Sequence, residues 1–329
     1  MRVVVALGGN AMIGPDGSAT PKAQLSAIAV AMAPVADLVA AGHEVVLTHG
    51  NGPQVGNILV KNELAASVVP PVPLDWCGAQ TQATIGFTML DTLEPALSAL
   101  GLATPVAAIV TRTLVNADDR GFTHPTKPIG RYLPREQAQN LIEHGERWED
   151  RGEHGWRRVV ASPEPVEVLE THTLLTLLNA GYVVVAAGGG GIPVVRSANG
   201  DLHGVEAVID KDLTAALLAR AVAADVLVIA TDVPNAVIHW STPRAAPIGR
   251  VSLEQAQAYA DEGQFASGSM GPKVEAAMRF VRTGGSRSVI TSLDQIAAAI
   301  DGEVGTIIER RSAPEQPIPP VSALPTHER

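Results

Sequence analysis

A chain of 329 residues is long enough for about two lobes at ~150 residues each. Its 46% hydrophobic and 18% charged residues are those of a folded globular protein, which excludes a disordered or fibrous chain. The net charge of −10, from 24 basic and 34 acidic residues, argues against nucleic acid or an anionic membrane as main partner; a small anion needs only a few local donors. Short continuous β-branched runs at residues 3–7, 44–48, 105–110, 182–186, 226–231 and 288–290 read as buried strands. Ala-rich stretches at 23–41, 79–100, 166–180, 213–223, 274–281 and 293–300 read as helices. This alternation predicts an α/β fold with a mainly parallel open sheet and helices on both faces.

The apolar start stops at Gly8, too short for the core of a signal peptide. The longest apolar stretch, 27–36, is ended by Asp37 and reads as too short to span a bilayer. The single cysteine, Cys77, excludes an internal disulfide or a Cys-rich zinc site and fits a reducing compartment. These features give the expectation of a soluble cytoplasmic protein. Residues 112–161 are charged and turn-rich and read as an inserted lobe standing off the sheet. Residues 312–329 hold five prolines and no apolar periodicity, so the tail from 311 is expected to be disordered.

Several strands run directly into special turns: residue 7 into Gly8-Gly9-Asn10, residue 48 into His49-Gly50-Asn51-Gly52, residue 187 into Gly188-Gly189-Gly190-Gly191, and Thr231 into Asp232. In an open α/β sheet, ligands bind beyond the carboxyl ends of the strands. Glycine there lets backbone N–H groups approach an anion, and a following helix N-terminus adds positive potential. The glycine spacing of 50, 52 and 56 misses the dinucleotide fingerprint by one residue, and no G-x-x-x-x-G-K-[ST] loop exists. The turns therefore predict a phosphate or carboxylate cradle built without a P-loop. No Gly-x-Ser-x-Gly elbow or zinc-ligand spacing occurs, and no metal site is expected.

Three lysines stand apart. Lys127 lies between prolines in Pro125-Thr126-Lys127-Pro128, Lys211 between Asp210 and Asp212, and Lys273 in Met270-Gly271-Pro272-Lys273 at a helix start. At that start, backbone donors and an ammonium group converge on one anion. Asp210, set between lysine-bearing turns, is expected to hold ammonium groups that otherwise repel one another. Two lysines, an organising carboxylate and glycine N–H groups suffice for phosphoryl transfer, which is mostly positioning and charge neutralisation.

The motifs Ala6-Leu7-Gly8-Gly9-Asn10-Ala11, His49-Gly50-Asn51-Gly52-Pro53-Gln54, Lys127-Pro128-Ile129-Gly130, Gly204-Val205-Glu206-Ala207-Val208-Ile209-Asp210-Lys211-Asp212 and Gly268-Ser269-Met270-Gly271-Pro272-Lys273 occur in one chain and in this order. In this the sequence resembles the carbamate kinases of the amino acid kinase superfamily over about residues 2–310. The resemblance implies a three-layer αβα subunit, with an acceptor lobe (about 1–215, carrying the protruding insert) followed by a nucleotide lobe (about 216–310), and a homodimer. It implies reversible phosphoryl transfer between ATP and carbamate, Mg²⁺ arriving with the nucleotide, and use in arginine or related nitrogen catabolism. Lys127, Asp210, Lys211 and Lys273 are then catalytic. Gly8, Gly9, Asn10, Gly50, Asn51, Gly52, Gly189 and Gly190 hold the acceptor or transferred group, and Thr231, Asp232, Met270, Gly271 and Lys273 the nucleotide. The sequence departs from the family pattern at Ala83, Phe87, Ala161 and Ile238-His239-Trp240-Ser241. A kinase of another small carboxylate or phosphate, or a silent nucleotide-binding regulator, are the alternatives.

Overall fold

The computed structural model describes residues 1–13, 20–265 and 270–310; the expected tail, with Gly268 and Ser269, lies outside them. Its centre is an eight-stranded sheet of β1 (Arg2–Leu7), β2 (Glu44–His49), β3 (Val106–Ala108), β4 (Val183–Val185), β5 (Val226–Thr231), β6 (Arg250–Ser252), β7 (Arg287–Ser292) and β8 (Thr306–Glu309). The order is β6-β8-β7-β5-β1-β2-β4-β3. All neighbours are parallel except β7 and β8. The β-branched runs form central strands because both faces are covered. Val4, Ala6 and Val46 point into one apolar layer; Val3, Val5, Leu7, Val45 and Leu47 point into the other.

Helices α4 (Thr171–Asn179), α5 (Lys211–Ala221) and α6 (Met270–Arg282) close the first layer through Leu174, Leu218 and Phe280. Helices α1 (Pro21–Ala40) and α3 (Leu74–Ala99) close the second through Ile28, Met32, Met89 and Leu93. The result is the αβα sandwich that the alternation predicts. Between β2 and α3 lies a further helix, α2 (Gly52–Ala65), which the sequence reading left out. The expected helix over 166–180 is also corrected: Pro165–Val168 is a strand, and only Thr171–Asn179 is helical. Helix α1 has 20 residues and a mean hydropathy of 1.7, so by length and composition alone it could cross a membrane, contrary to the reading of 27–36. In the fold its Ile28–Met32–Val35 face packs against the sheet and α3.

Among the described residues three smaller sheets accompany it, one of them the two-stranded pair Val237–Ile238 and Ala246–Pro247. Strands Leu202–Gly204, Ile192–Arg196, Arg112–Val115 and Pro165–Val168 form another, in that order. Lys127–Leu133, Trp156–Val160 and Trp148–Asp150 form an antiparallel three-stranded sheet with its own core of Leu133, Ala138 and Trp148. Of the expected insert 112–161, residues 112–115 thus belong to the four-stranded sheet. The separate lobe sheet begins at Lys127 and seats on α2, where a Cβ on Gly56 would lie 3.4 Å from the Gly130 Cα.

Candidate active site

The ladder of β1, β2 and β5 runs straight into the glycine turns. Gly8 N donates to Ala230 O at 2.9 Å, and Gly50 N donates to Leu7 O at 3.0 Å. Beyond them the backbones meet: a Cβ on Gly50 would lie 3.0 Å from Gly9 N and 3.2 Å from Lys211 Cδ, so only glycine lets these three segments converge. Gly9 opens the short turn Gly9–Met12, which carries Asn10, and Gly52 opens α2 behind Asn51. Asn51 is buried, and its Nδ2 donates to Thr81 Oγ1 of α3 at 2.8 Å.

The turn 188–191 interlocks with these segments. A Cβ on Gly188 would lie 2.2 Å from His49 Nε2, and one on Gly189 2.1 Å from Asn51 Nδ2. One on Gly190 would lie 2.6 Å from Ile209 O, next to Asp210. The turn therefore fits only as glycine, and Gly189 and Gly190 lie against Asn51 and Ile209. His49 donates through Nδ1 to Gly50 O at 2.8 Å. Its pKa is lowered to about 4, chiefly by burial, with Gly50 O opposing and the Lys211 charge adding to the shift. The imidazole is thus neutral near pH 7 and is bonded to the turn's own backbone.

The four residues expected to be catalytic come together at the N-terminus of α5. Lys127, the first residue of the lobe's edge strand, donates through Nζ to Asp210 Oδ2 at 2.7 Å. Asp210 also caps α5, its Oδ1 accepting from Asp212 N at 2.9 Å and Leu213 N at 3.3 Å. Lys211 Nζ lies 2.5 Å from Asp212 Oδ1, and Lys273 Nζ lies 3.1 Å from Asp212 Oδ2. The carboxylate joining these two lysines is therefore Asp212, which sequence reasoning missed, and not Asp210, which holds Lys127 alone. Its signal was positional: Asp212 shares a helix face with the buried Ala215 and Ala216 three and four residues on.

Burial pulls the Lys211 pKa down; the adjacent Asp212 charge opposes this and Lys273 adds to it. Burial would raise the Asp212 carboxyl, but the Lys211 and Lys273 ammonium groups hold it below the usual range. Three ammonium groups face two carboxylates, so these five side chains sum to +1 (3 − 2) in a largely buried place. Such a site favours an anion.

Of the expected nucleotide residues, Thr231, Asp232 and Met270 line a cleft of about 180 Å³ together with Val237, Trp240 and Phe265, whereas Gly271 and Lys273 are not among its lining. Thr231 Oγ1 donates to Asp232 Oδ1 at 3.0 Å. Gly271 packs so tightly that a Cβ would lie 2.9 Å from Phe265 O. Met270 opens α6 and Lys273 lies three residues on, so one helix N-terminus links the cleft to the lysine cluster. Among the described residues no group of three or more His, Cys, Asp or Glu is placed to hold a metal ion.

A parallel αβα sandwich whose glycine turns surround buried lysines defines a phosphoryl-transfer class of protein without a P-loop. The sequence profile of the amino acid kinase family matches residues 1–292. Carbamate kinase of Thermococcus kodakarensis is 44% identical over 315 residues, covering 94% of this chain and 99% of that protein. The carbamate kinase-like protein YqeA of Escherichia coli is 42% identical over 311 residues, covering 93% and 98%. The structure of carbamate kinase from Giardia lamblia bound to AMP-PNP superposes with a TM-score of 0.87 at 40% identity, covering 94% and 98%. The chain belongs to the amino acid kinase family, within its carbamate kinase group, and is a kinase-type enzyme.

Proposed function

We propose that the chain catalyses reversible phosphoryl transfer between ATP and carbamate, giving ADP and carbamoyl phosphate. The observation that carries this reading is the cluster of buried Lys211 and Lys273 with partly exposed Lys127, with one positive charge in excess, at the mouth of the glycine cradle. Carbamate is a small planar monoanion. The amides of Gly8, Gly9, Gly50 and Gly52, with Asn10 and Asn51, hold it or the transferred group. Thr231, Asp232, Met270 and Gly271 hold the nucleoside end, and Lys273 with the α6 N-terminus holds its phosphates. Lys211 and Lys127 neutralise charge on the phosphoryl group in flight, which in a loose transition state is most of the catalytic task. Asp210 and Asp212 keep the lysines aimed. Mg²⁺ enters as part of the nucleotide substrate and supplies further neutralisation of its phosphates.

In this reading the enzyme works in the cytoplasm as a homodimer. The second copy would pack against the outer side of α3, where Trp76 and Phe87 are 61% and 56% exposed. The deciding experiment is ATP formation from ADP and carbamoyl phosphate, with acetyl phosphate as comparison. Faster turnover of acetyl phosphate would assign a different small acid as acceptor. ADP binding with no turnover of either donor would assign a silent regulator.

A further inference from the structure

We propose that Gln82, buried on α3, is a positioning residue for phosphoryl transfer: its side-chain amide fixes the 188–191 turn in the orientation the anion site requires. This rests on the phosphoryl-transfer reading above. Gln82 touches no lysine of the cluster in the hydrogen-bond pattern, yet its amide is used on both sides. Nε2 donates to Thr111 O and to Gly188 O, both at 3.0 Å, and Oε1 accepts from Thr111 N at 2.8 Å. Two N–H donors and one acceptor thus join α3, the segment after β3 and the glycine turn. A methionine would fill the same length without hydrogen bonds, so packing alone does not require this amide.

The turn needs such a hold because it is entered through a disfavoured conformation. Ala187 is a buried non-glycine residue at φ 53°, where its Cβ crowds the carbonyl. Backbone of this kind persists only where its surroundings over-determine it, and such places gather at functional sites. Here Ala187 N donates to Thr111 Oγ1 at 3.1 Å, and Ala187 O accepts from Thr48 Oγ1 at 3.0 Å. Thr113 and Thr214 donate through Oγ1 to Gly190 O at 2.9 and 3.1 Å.

The carbonyls of Ala187, Gly188 and Gly190 are thus all drawn toward side chains of the body. A carbonyl oxygen facing an anion repels it, so drawing these three inward is what makes the turn compatible with phosphate. Gln82 is the member of this set that acts from α3. Its neighbour Thr81 holds Asn51 at the same edge, so two consecutive residues of one helix fix both loops of the cradle.

The test compares wild type, Gln82→Met and the isosteric Thr111→Val in the full-length chain. Four quantities are measured: the Kd for ADP, the kcat and the KM for carbamoyl phosphate, and hydrogen–deuterium exchange. We expect both variants to bind ADP within twofold of wild type while kcat falls at least tenfold. Exchange at residues 188–191 should accelerate at least tenfold with that of α6 unchanged, and the double variant should lose less than the product of the two single losses. A kcat within twofold of wild type with unaltered exchange overturns the proposal, as does a loss of ADP affinity that matches the loss of kcat. Gln82→Leu, which likewise removes the bonds to Thr111 and Gly188, carries the same test if Gln82→Met does not fold; Thr111→Val keeps the backbone atoms that Gln82 holds and reads the turn's other tie, to Ala187 N. A wild-type enzyme inactive on carbamoyl phosphate defeats the substrate reading instead, and exchange at 188–191 then decides the positioning role by itself.

Discussion

Replacing Asp212 by asparagine would leave Lys211 and Lys273 facing each other without the carboxylate that both contact. Breaking a buried charge pair by removing one partner costs about 3–5 kcal/mol. Asp212→Asn is therefore expected to lower the midpoint of thermal unfolding by many degrees and to reduce kcat more than any single lysine-to-arginine change; a near-wild-type melting curve would refute the shared-carboxylate geometry. Lys273→Ala should cut kcat by about 10²–10³, the range for losing one preorganised charge donor, and a coupled ATP assay reads it. His49 gives a pH signature. Its folded pKa of about 4 lies below the ordinary 6.5, so the unfolded chain binds a proton that the native imidazole refuses. The stabilisation is full above pH 6.5 and is lost as pH falls from there toward 4, by at most about 3 kcal/mol. Thermal unfolding measured from pH 7 to 4.5 should show this slope in wild type, and His49→Gln should flatten it.

The 188–191 turn shows at the level of elements what a sequence can reveal. Glycines at strand ends were legible as points of close backbone approach at the sheet edge because few residue types permit it. The identity of the partners was not: that Gly188 lies over His49 and Gly189 over Asn51 depends on contacts more than a hundred residues apart. Gly189→Ala is expected to destabilise by several kcal/mol, since φ is +68° and the new methyl would overlap Asn51; urea unfolding measures it. The same distinction between local and distant information explains the misread elements. Helix α2 begins with Gly52-Pro53, which reads as a continued turn, although proline suits the first helical turn and Val55 and Leu59 bury one side. Pro165–Val168 reads as a helix start, and pairing with Thr113–Val115, some fifty residues earlier, makes it a strand. Asp212 escaped notice for a related reason: its two lysine partners are one and 61 residues away, and only the first is adjacent in sequence.

The whole molecule divides the cluster between two bodies, because Lys127 belongs to the lobe and the other four groups to the sandwich. The lobe is held by Lys127–Asp210 at 2.7 Å, by Arg131–Glu63 at 2.9 Å and by apolar packing of Ile129 and Val160 on Val55 and Leu59 of α2, and a cavity of about 740 Å³ lies beside this contact around Leu59, Phe122 and Arg158. Lys127→Ala should lower kcat strongly and leave the Kd for ADP nearly unchanged. Lys127→Arg should restore little, since a planar guanidinium replaces a compact ammonium. Equal losses in turnover and ADP affinity would place Lys127 in the nucleotide site instead. The two ion pairs differ from the inner pair in their contact with solvent. Lys127 and Asp210 are 30% and 16% exposed, Arg131 and Glu63 are 49% and 31%, whereas Lys273 and Asp212 are 8% and 5%. Dissolved ions screen exposed charges over a Debye length of about 10 Å at 0.1 M and reach buried pairs far less. Ionic strength should therefore act on the proposed site as a graded key: added salt is expected to weaken the lobe's two ion pairs and raise the KM for the acceptor while the Kd for ADP changes little, so the two halves of one site would answer the same surroundings differently.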